Sequence, residues 1–165
     1  MAQVLMRGTP VQTSGNLPAV GSIAPAFELL NAKLETISLA GLAGKKVVIS
    51  IFPSIDTATC ALSTRKFNQQ AAALEGVTVV TVSEDLPFAL GRFCATEGID
   101  NVHTLSAFRS SFGTDYGVAL VDGPLRGLTA RAVVVVDGSG NVLHSELVAE
   151  ISDEPNYDAA LAALA

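Results

Sequence analysis

The stretch Lys46-Val47-Val48-Ile49-Ser50-Ile51-Phe52-Pro53-Ser54-Ile55-Asp56-Thr57-Ala58-Thr59-Cys60 decides how the rest of the chain is read. Its first seven residues are apolar and rich in β-branched side chains, the composition of a strand covered on both faces. Pro53 ends that strand, because proline has no N–H to give to a sheet ladder. Ser54 to Thr57 then supply helix-capping residue types, and Ala61 to Leu74 has helix composition with apolar residues near helical spacing. Cys60 is thereby expected in the first turn of a helix.

Working outward, Gly76 closes a turn and Val77-Thr78-Val79-Val80-Thr81-Val82-Ser83 reads as a second buried strand. Strand, helix and strand with short links make a βαβ unit with parallel neighbours and a right-handed crossover. Asp85 to Ala95 is expected to be a second helix, with Leu86, Ala89, Leu90 and Phe93 on one face and Cys94 near its end. Val102 to Leu105 is a short strand candidate, and Ala107 to Phe112 a helical turn or two. Arg131 to Val136 and Val142 to Val148 flank Asp137-Gly138-Ser139-Gly140-Asn141, the pattern of an antiparallel hairpin. Glu154-Pro155 opens a last helix, Asn156 to Leu164, with the proline near its first turn.

Upstream, Gln3 to Thr13 reads as an N-terminal hairpin around Arg7-Gly8, and Phe27 to Leu30 and Ile37 to Leu39 as short extended pieces. The order of elements gives an α/β fold with a mixed central sheet, helices on both faces and an N-terminal β-hairpin. A chain of 165 residues is most simply one domain, residues 1–165, large enough to bury a full core.

The 16 acidic and 10 basic residues leave a net charge of −6. That balance argues against a nucleic-acid surface and a basic membrane-binding face. No apolar run approaches the roughly 20 residues of a membrane span, and no export signal opens the chain, so a cytoplasmic location is expected. In that setting two cysteines are buried thiols or redox groups rather than a structural framework.

A cysteine at a helix N-terminus meets unpaired backbone N–H groups and the positive end of the helix dipole, both of which favour thiolate over thiol. Thr57 is spaced so that its hydroxyl can reach toward the sulfur or a ligand, and Pro53 so that it can shield the pocket. An equally simple arrangement has Thr57 or Asp56 capping the helix while Cys60 packs inside it. Arg131 stands at the head of an apolar strand, where a buried charge needs a partner such as a thiolate. At an exposed strand end it would instead be solvated.

Spacing removes three other chemistries. A phosphatase loop needs five residues between cysteine and arginine, and only four separate Cys60 from Arg65. A Cys-x-x-Cys dithiol is absent, since the second cysteine, Cys94, lies 34 positions on. His103 and His144 sit on separate strands with no ligand spacing around them, so no metal and no cofactor is implied.

Pro53, Thr57 and Cys60 reproduce a Pro-x3-Thr-x2-Cys motif, and with Arg131 they resemble the four-residue site of the peroxiredoxins. Arg65 to Gln69, Asp85 to Ala89, Arg92-Phe93-Cys94, Tyr116 to Val118, Asp122 to Pro124 and Ala130 to Val135 are similar to the atypical two-cysteine subgroup of bacterial peroxiredoxins. The resemblance implies a thioredoxin-like fold, a homodimer, and reduction of hydrogen peroxide or organic hydroperoxides at the expense of thioredoxin. It further implies Cys60 as the peroxidatic cysteine and Cys94 as the resolving one. Arg131 and the Thr57 hydroxyl would stabilise the departing oxygen. Because both cysteines are expected within helices, their disulfide would require local unwinding around Cys94. Phe27, Phe52, Phe88 and Phe93 suggest tolerance for alkyl hydroperoxides, although core packing accounts for them equally.

Overall fold

The valine-rich runs at Val47 and Val77 lie side by side in the middle of a seven-stranded sheet. The computed structural model describes residues 1–70, 74–99 and 101–165. Its strands are β3 (Glu28–Leu30), β4 (Thr36–Ser38), β5 (Lys46–Ile51), β6 (Val77–Ser83), β7 (Val102–Ser106), β8 (Ala132–Val136) and β9 (Val142–Leu147), in the order β4-β3-β7-β6-β5-β8-β9. Strands β5, β6 and β7 are parallel neighbours, and the remaining pairings are antiparallel. A separate two-stranded sheet joins β1 (Gln3–Met6) to β2 (Thr9–Gln12), with Arg7 (φ 50°) and Gly8 (φ 81°) in its turn. Two successive left-handed residues match the twist of flanking strands, which is why Arg-Gly can close this hairpin.

The helices are α1 (Ala58–Gln70), α2 (Pro87–Glu97), α3 (Phe112–Asp115) and α4 (Tyr157–Ala162). The chain steps from β5 through α1 to β6, then through α2 to β7. Crossovers of one hand that step in one direction put their helices on one face. Phe67 of α1, Phe93 and Cys94 of α2 and Leu161 of α4 accordingly pack with Val48, Val79, Val133 and Val135. The opposite face, built from Val47, Ile49, Ile51, Val80, Val82, Val134 and Val136, is covered by Phe27, Phe112 and Tyr116. Phe112 and Tyr116 stack at 4.2 Å between centroids, and the Tyr116 hydroxyl donates to the Pro25 carbonyl at 2.7 Å.

Burial of Val47, Val48, Ile49 and Ile51, at roughly 1.5–3 kcal/mol per side chain, makes β5 a firm base for the loop that follows it. The helix expected over Asp85 to Ala95 runs instead from Pro87 to Glu97, leaving Asp85 outside it, and three further helix boundaries differ from the sequence expectation. The helix expected through Leu74 includes residues 71–73, which lie outside the described residues, and Leu74 itself is in a bend. The helical turn expected over Ala107 to Phe112 begins instead at Phe112, where the Ser110 hydroxyl accepts the Phe112 N–H at 3.1 Å and the Ser111 hydroxyl donates to Asp115 at 2.6 Å. The last helix starts at Tyr157 because Asn156 caps it, accepting the Ala159 N–H at 3.0 Å. Pro155 therefore precedes the cap rather than lying in the first turn.

Gly117 (φ 69°) is fixed by a close approach, since a Cβ there would sit 2.3 Å from the Asn16 carbonyl oxygen. Backbone cannot retreat as a flexible side-chain tip can. Gly117→Ala is expected to cost about 2–3 kcal/mol, combining left-handed strain with the clash, read from urea unfolding midpoints at unchanged slope.

Candidate active site

The parallel strands deliver their carboxyl ends to one edge of the molecule, where loops rather than ladders carry the backbone. Strand β5 ends at Ile51, Pro53 breaks the ladder, and Thr57 precedes α1, its carbonyl accepting the Ala61 N–H at 3.1 Å. Cys60 is thus the third residue of α1. No acceptor among the described residues takes the N–H of Ala58, Thr59 or Cys60. Helix geometry leaves such groups free for a ligand.

Asp85, two residues past the end of β6, shapes this loop. Its carboxylate accepts the Ser54 hydroxyl at 2.7 Å, the Ile55 N–H at 2.7 Å and the Ser83 hydroxyl at 2.6 Å. The Ser106 hydroxyl donates to the Asp85 carbonyl, joining the end of β7 to the same network. Beside it, burial first and the Asp85 charge second push Glu84 up to about 7.

The cysteine sulfur is fully buried, in a cluster with Phe52, Ile55 and Leu90. Arg131, only 3% exposed, reaches it: Nη2 donates to Cys60 Sγ at 3.2 Å, and Nε donates to the Ile151 carbonyl at 2.8 Å. Arg131 Nη1 is buried with no partner among the described residues. Of the two arrangements open from the sequence for Arg131, the buried one holds. The Thr57 hydroxyl donates to the Ser54 carbonyl at 3.0 Å and not to the sulfur. Thr57 also lines a cavity.

That cavity, about 430 Å³, is lined by Pro53, Thr57 and Arg131 together with Met6, Leu125 and Leu128. Three of the four motif residues meet there, while Cys60 lies buried behind them. None of Phe27, Phe52, Phe88 and Phe93 lines it. Phe27 covers the other face of the sheet, Phe52 packs on Cys60, and Phe88 is 69% exposed. The apolar walls come instead from the N-terminal hairpin and the segment around Leu125, which strand periodicity does not single out.

Cys94 is half-buried on α2, and neither it nor Cys60 is in a disulfide. Its sulfur contacts the Thr104 hydroxyl at 3.3 Å and belongs to a different apolar cluster from Cys60. Phe93 touches both clusters. Exposed ion pairs flank this helix: Arg92 to Asp56 at 3.2 Å, and Arg65 to Glu97 at 2.8 Å. Among the described residues no group of three or more histidine, cysteine or carboxylate side chains could hold a metal ion.

A buried thiol paired with a guanidinium behind a small apolar cavity, on a mixed sheet with helices packed over its parallel strands, is the arrangement of a thiol-dependent redox enzyme. Residues 19–161 match the redoxin family. Over 164 residues, 99% of each chain, the sequence is 57% identical to the thiol peroxidase of Mycobacterium tuberculosis and 55% identical to that of Corynebacterium glutamicum. The crystal structure of a peroxiredoxin-like protein from Aquifex aeolicus superposes with a TM-score of 0.91 at 41% identity, covering 96% of this chain and 92% of that one. The chain belongs to the redoxin family, among its bacterial thiol peroxidases. It is a peroxidase with a thioredoxin-like fold.

Sequence reasoning missed Asp85 as a loop organiser and missed Glu150. The Glu150 carboxylate accepts the N–H groups of Arg7 and Gly8 at 3.0 and 3.1 Å and the Ser152 hydroxyl at 2.9 Å, clasping the hairpin turn to the cavity rim. The Gly8 and Arg7 N–H groups hold Glu150 below its ordinary value of 4.5. A depressed carboxylate stabilises the clasp above the ordinary value and loses it as pH falls through the lower, folded one. Hydrogen exchange should accordingly show Arg7 and Gly8 amides protected at pH 6 and released at pH values well below 4.5, once their intrinsic rates are divided out. In Glu150→Gln the protection should not vary across that range.

Proposed function

We propose that this chain reduces hydrogen peroxide and organic hydroperoxides through Cys60, with Cys94 resolving and thioredoxin restoring the dithiol. The observation that carries this reading is the Arg131 guanidinium, buried, donating one N–H to the Cys60 sulfur and leaving Nη1 unpaired, on a residue that lines the cavity. A buried donor without a partner costs about 1–3 kcal/mol or more for a charged group, so it is retained where a ligand completes it. A peroxide oxygen is such a ligand.

In the proposed reaction the Cys60 thiolate attacks the terminal peroxide oxygen. The O–O bond breaks, an S–O bond forms, and the departing alkoxide or hydroxide is protonated to alcohol or water. Arg131 Nη1 and the free N–H groups of the α1 first turn face the charge that develops on the oxygens. The Thr57 hydroxyl orients the peroxide, and Pro53 keeps water from the sulfur. Cys94 then displaces the sulfenic oxygen as water, giving a Cys60–Cys94 disulfide that a thiol donor reopens by exchange.

Cavity size supports organic substrates beside hydrogen peroxide. About 430 Å³ is far more than a molecule little larger than water fills, at roughly 30 Å³ per water in the liquid. The remaining space is walled by Met6, Leu125 and Leu128. Cycling through a disulfide fits a reducing compartment such as the cytoplasm, and we read residues 1–165 as one domain acting as a homodimer. No helix among the described residues is long and apolar enough to cross a membrane.

The test is thioredoxin-coupled turnover with hydrogen peroxide and an alkyl hydroperoxide. Cys60→Ser is expected to abolish peroxide consumption. Cys94→Ser should consume one equivalent and then stall with thioredoxin. Arg131→Met should lower the second-order rate with peroxide by roughly 10²–10³, the scale of one lost oxyanion donor. Undiminished turnover in Cys60→Ser would refute the assignment of the nucleophile.

A further inference from the structure

The face of the sheet beneath α1 and α2 carries a row of hydroxyls. Ser50, Thr81 and Thr104 are in register across β5, β6 and β7, and all three are buried. Apolar residues occupy the neighbouring row on the same face, Val48, Val79 and Val102. Thr81 Oγ1 has no partner among the described residues, whereas Thr104 Oγ1 lies 3.3 Å from Cys94 Sγ. Thr104 is 6% exposed, so water competes little for that contact.

We propose that Thr104 is a positioning residue for Cys94: its hydroxyl latches the thiol under α2 and thereby sets how often the Cys60 sulfenic acid is resolved rather than overoxidised. The inference rests on the reading of Cys94 as the resolving cysteine. Cys94 must leave the sheet face to reach Cys60, because the two sulfurs sit in separate apolar clusters. A contact that exists only while α2 is docked stabilises the docked state and lowers the population of the open one.

Two reactions compete for the sulfenic acid. In resolution the Cys94 sulfur bonds to the Cys60 sulfur, the S–OH bond breaks, and hydroxide leaves with the thiol proton as water. In overoxidation a second hydroperoxide transfers one oxygen to the Cys60 sulfur, giving sulfinic acid and an alcohol. Only the first needs α2 to open. A latch on Cys94 therefore slows the first without touching the second, and makes the enzyme sensitive to high peroxide.

The experiment uses Thr104→Val, Thr104→Ser and Thr81→Val in the full chain. Disulfide and sulfinic acid are counted by acid quench, alkylation and mass spectrometry after mixing with tert-butyl hydroperoxide. Thr104→Val is expected to form the disulfide about 3- to 10-fold faster and to need about 3- to 10-fold more peroxide for half overoxidation, the range set by losing one weak hydrogen bond. Thr104→Ser, which keeps the hydroxyl, should behave as the parent. Thr81→Val removes an unpaired hydroxyl one strand away and should also leave both readings unchanged.

A second measurement is independent of the catalytic cycle. In a Cys60→Ser background, Cys94 alkylation by iodoacetamide should rise by the same factor in Thr104→Val. Unchanged or slower disulfide formation and alkylation in Thr104→Val would overturn the latch. So would an equal acceleration in Thr81→Val, which would mean general loosening of the packing. Undiminished thioredoxin-coupled cycling in Cys94→Ser would instead overturn the resolving role, and the alkylation rates would still decide the latch.

Discussion

The Arg131 guanidinium buried against the Cys60 sulfur is the constraint to which the surrounding structure answers. A cation removed from water must find partners, and breaking a buried pair by removing one side costs about 3–5 kcal/mol. Arg131 takes one partner from α1 and another from the Ile151 carbonyl. Ile151 is in turn held, its N–H donating to the Leu5 carbonyl at 2.8 Å, while the Thr59 hydroxyl donates to the Ser152 carbonyl at 3.0 Å. The hairpin, the 150–152 segment and the start of α1 are therefore tied through one cation. Glu150 adds the hairpin turn itself, so hydrogen bonds link the wall of the cavity to the group beside the sulfur.

The sheet explains why that arrangement can be rigid. Asp85 leaves β6 one strand away from Pro53 and fixes the Ser54-Ile55 backbone with short bonds, and Thr129 donates to the Phe52 carbonyl at 2.8 Å from the other side. The loop between β5 and α1 is pinned on both flanks, by Asp85 just past β6 and by Thr129 just before β8. The Thr64 and Ser63 hydroxyls also return to the Cys60 carbonyl at 2.9 and 3.1 Å. Two of the four residues α1 buries, Ser63 and Thr64, hydrogen-bond the Cys60 backbone, while Phe67 fills the core.

Strand and helix identities near the site were legible because their causes are local. β-Branched runs, a proline after Phe52 and the Asp137 to Asn141 turn each act within a few residues, and the expected βαβ unit and terminal hairpin stand where the sequence placed them. Arg131 was legible for the same reason, as a charge at the head of a run of valines. What was not legible depended on distant chain segments meeting. The cavity walls come from Met6 and Leu125, and Glu150 is separated from Arg7 by 143 positions. No periodicity marks a contact of that range. Thr57 shows the limit at short range, since its spacing allowed a bond to the sulfur and the turn directs its hydroxyl to Ser54 instead.

The two cysteines are held in different ways. Cys60 lies under a buried cation, a pinned loop and a fully apolar cluster, so displacing it breaks several interactions at once. Cys94 sits on a helix whose first residues have no side-chain cap, with Leu86 and Phe88 exposed at its start. The ion pairs that link this helix to the Cys60 segment, Arg92 with Asp56 and Arg65 with Glu97, are solvent-facing. Such pairs contribute about 0–1 kcal/mol each. If the sulfurs are to meet, the cost is far lower when α2 loosens than when α1 does.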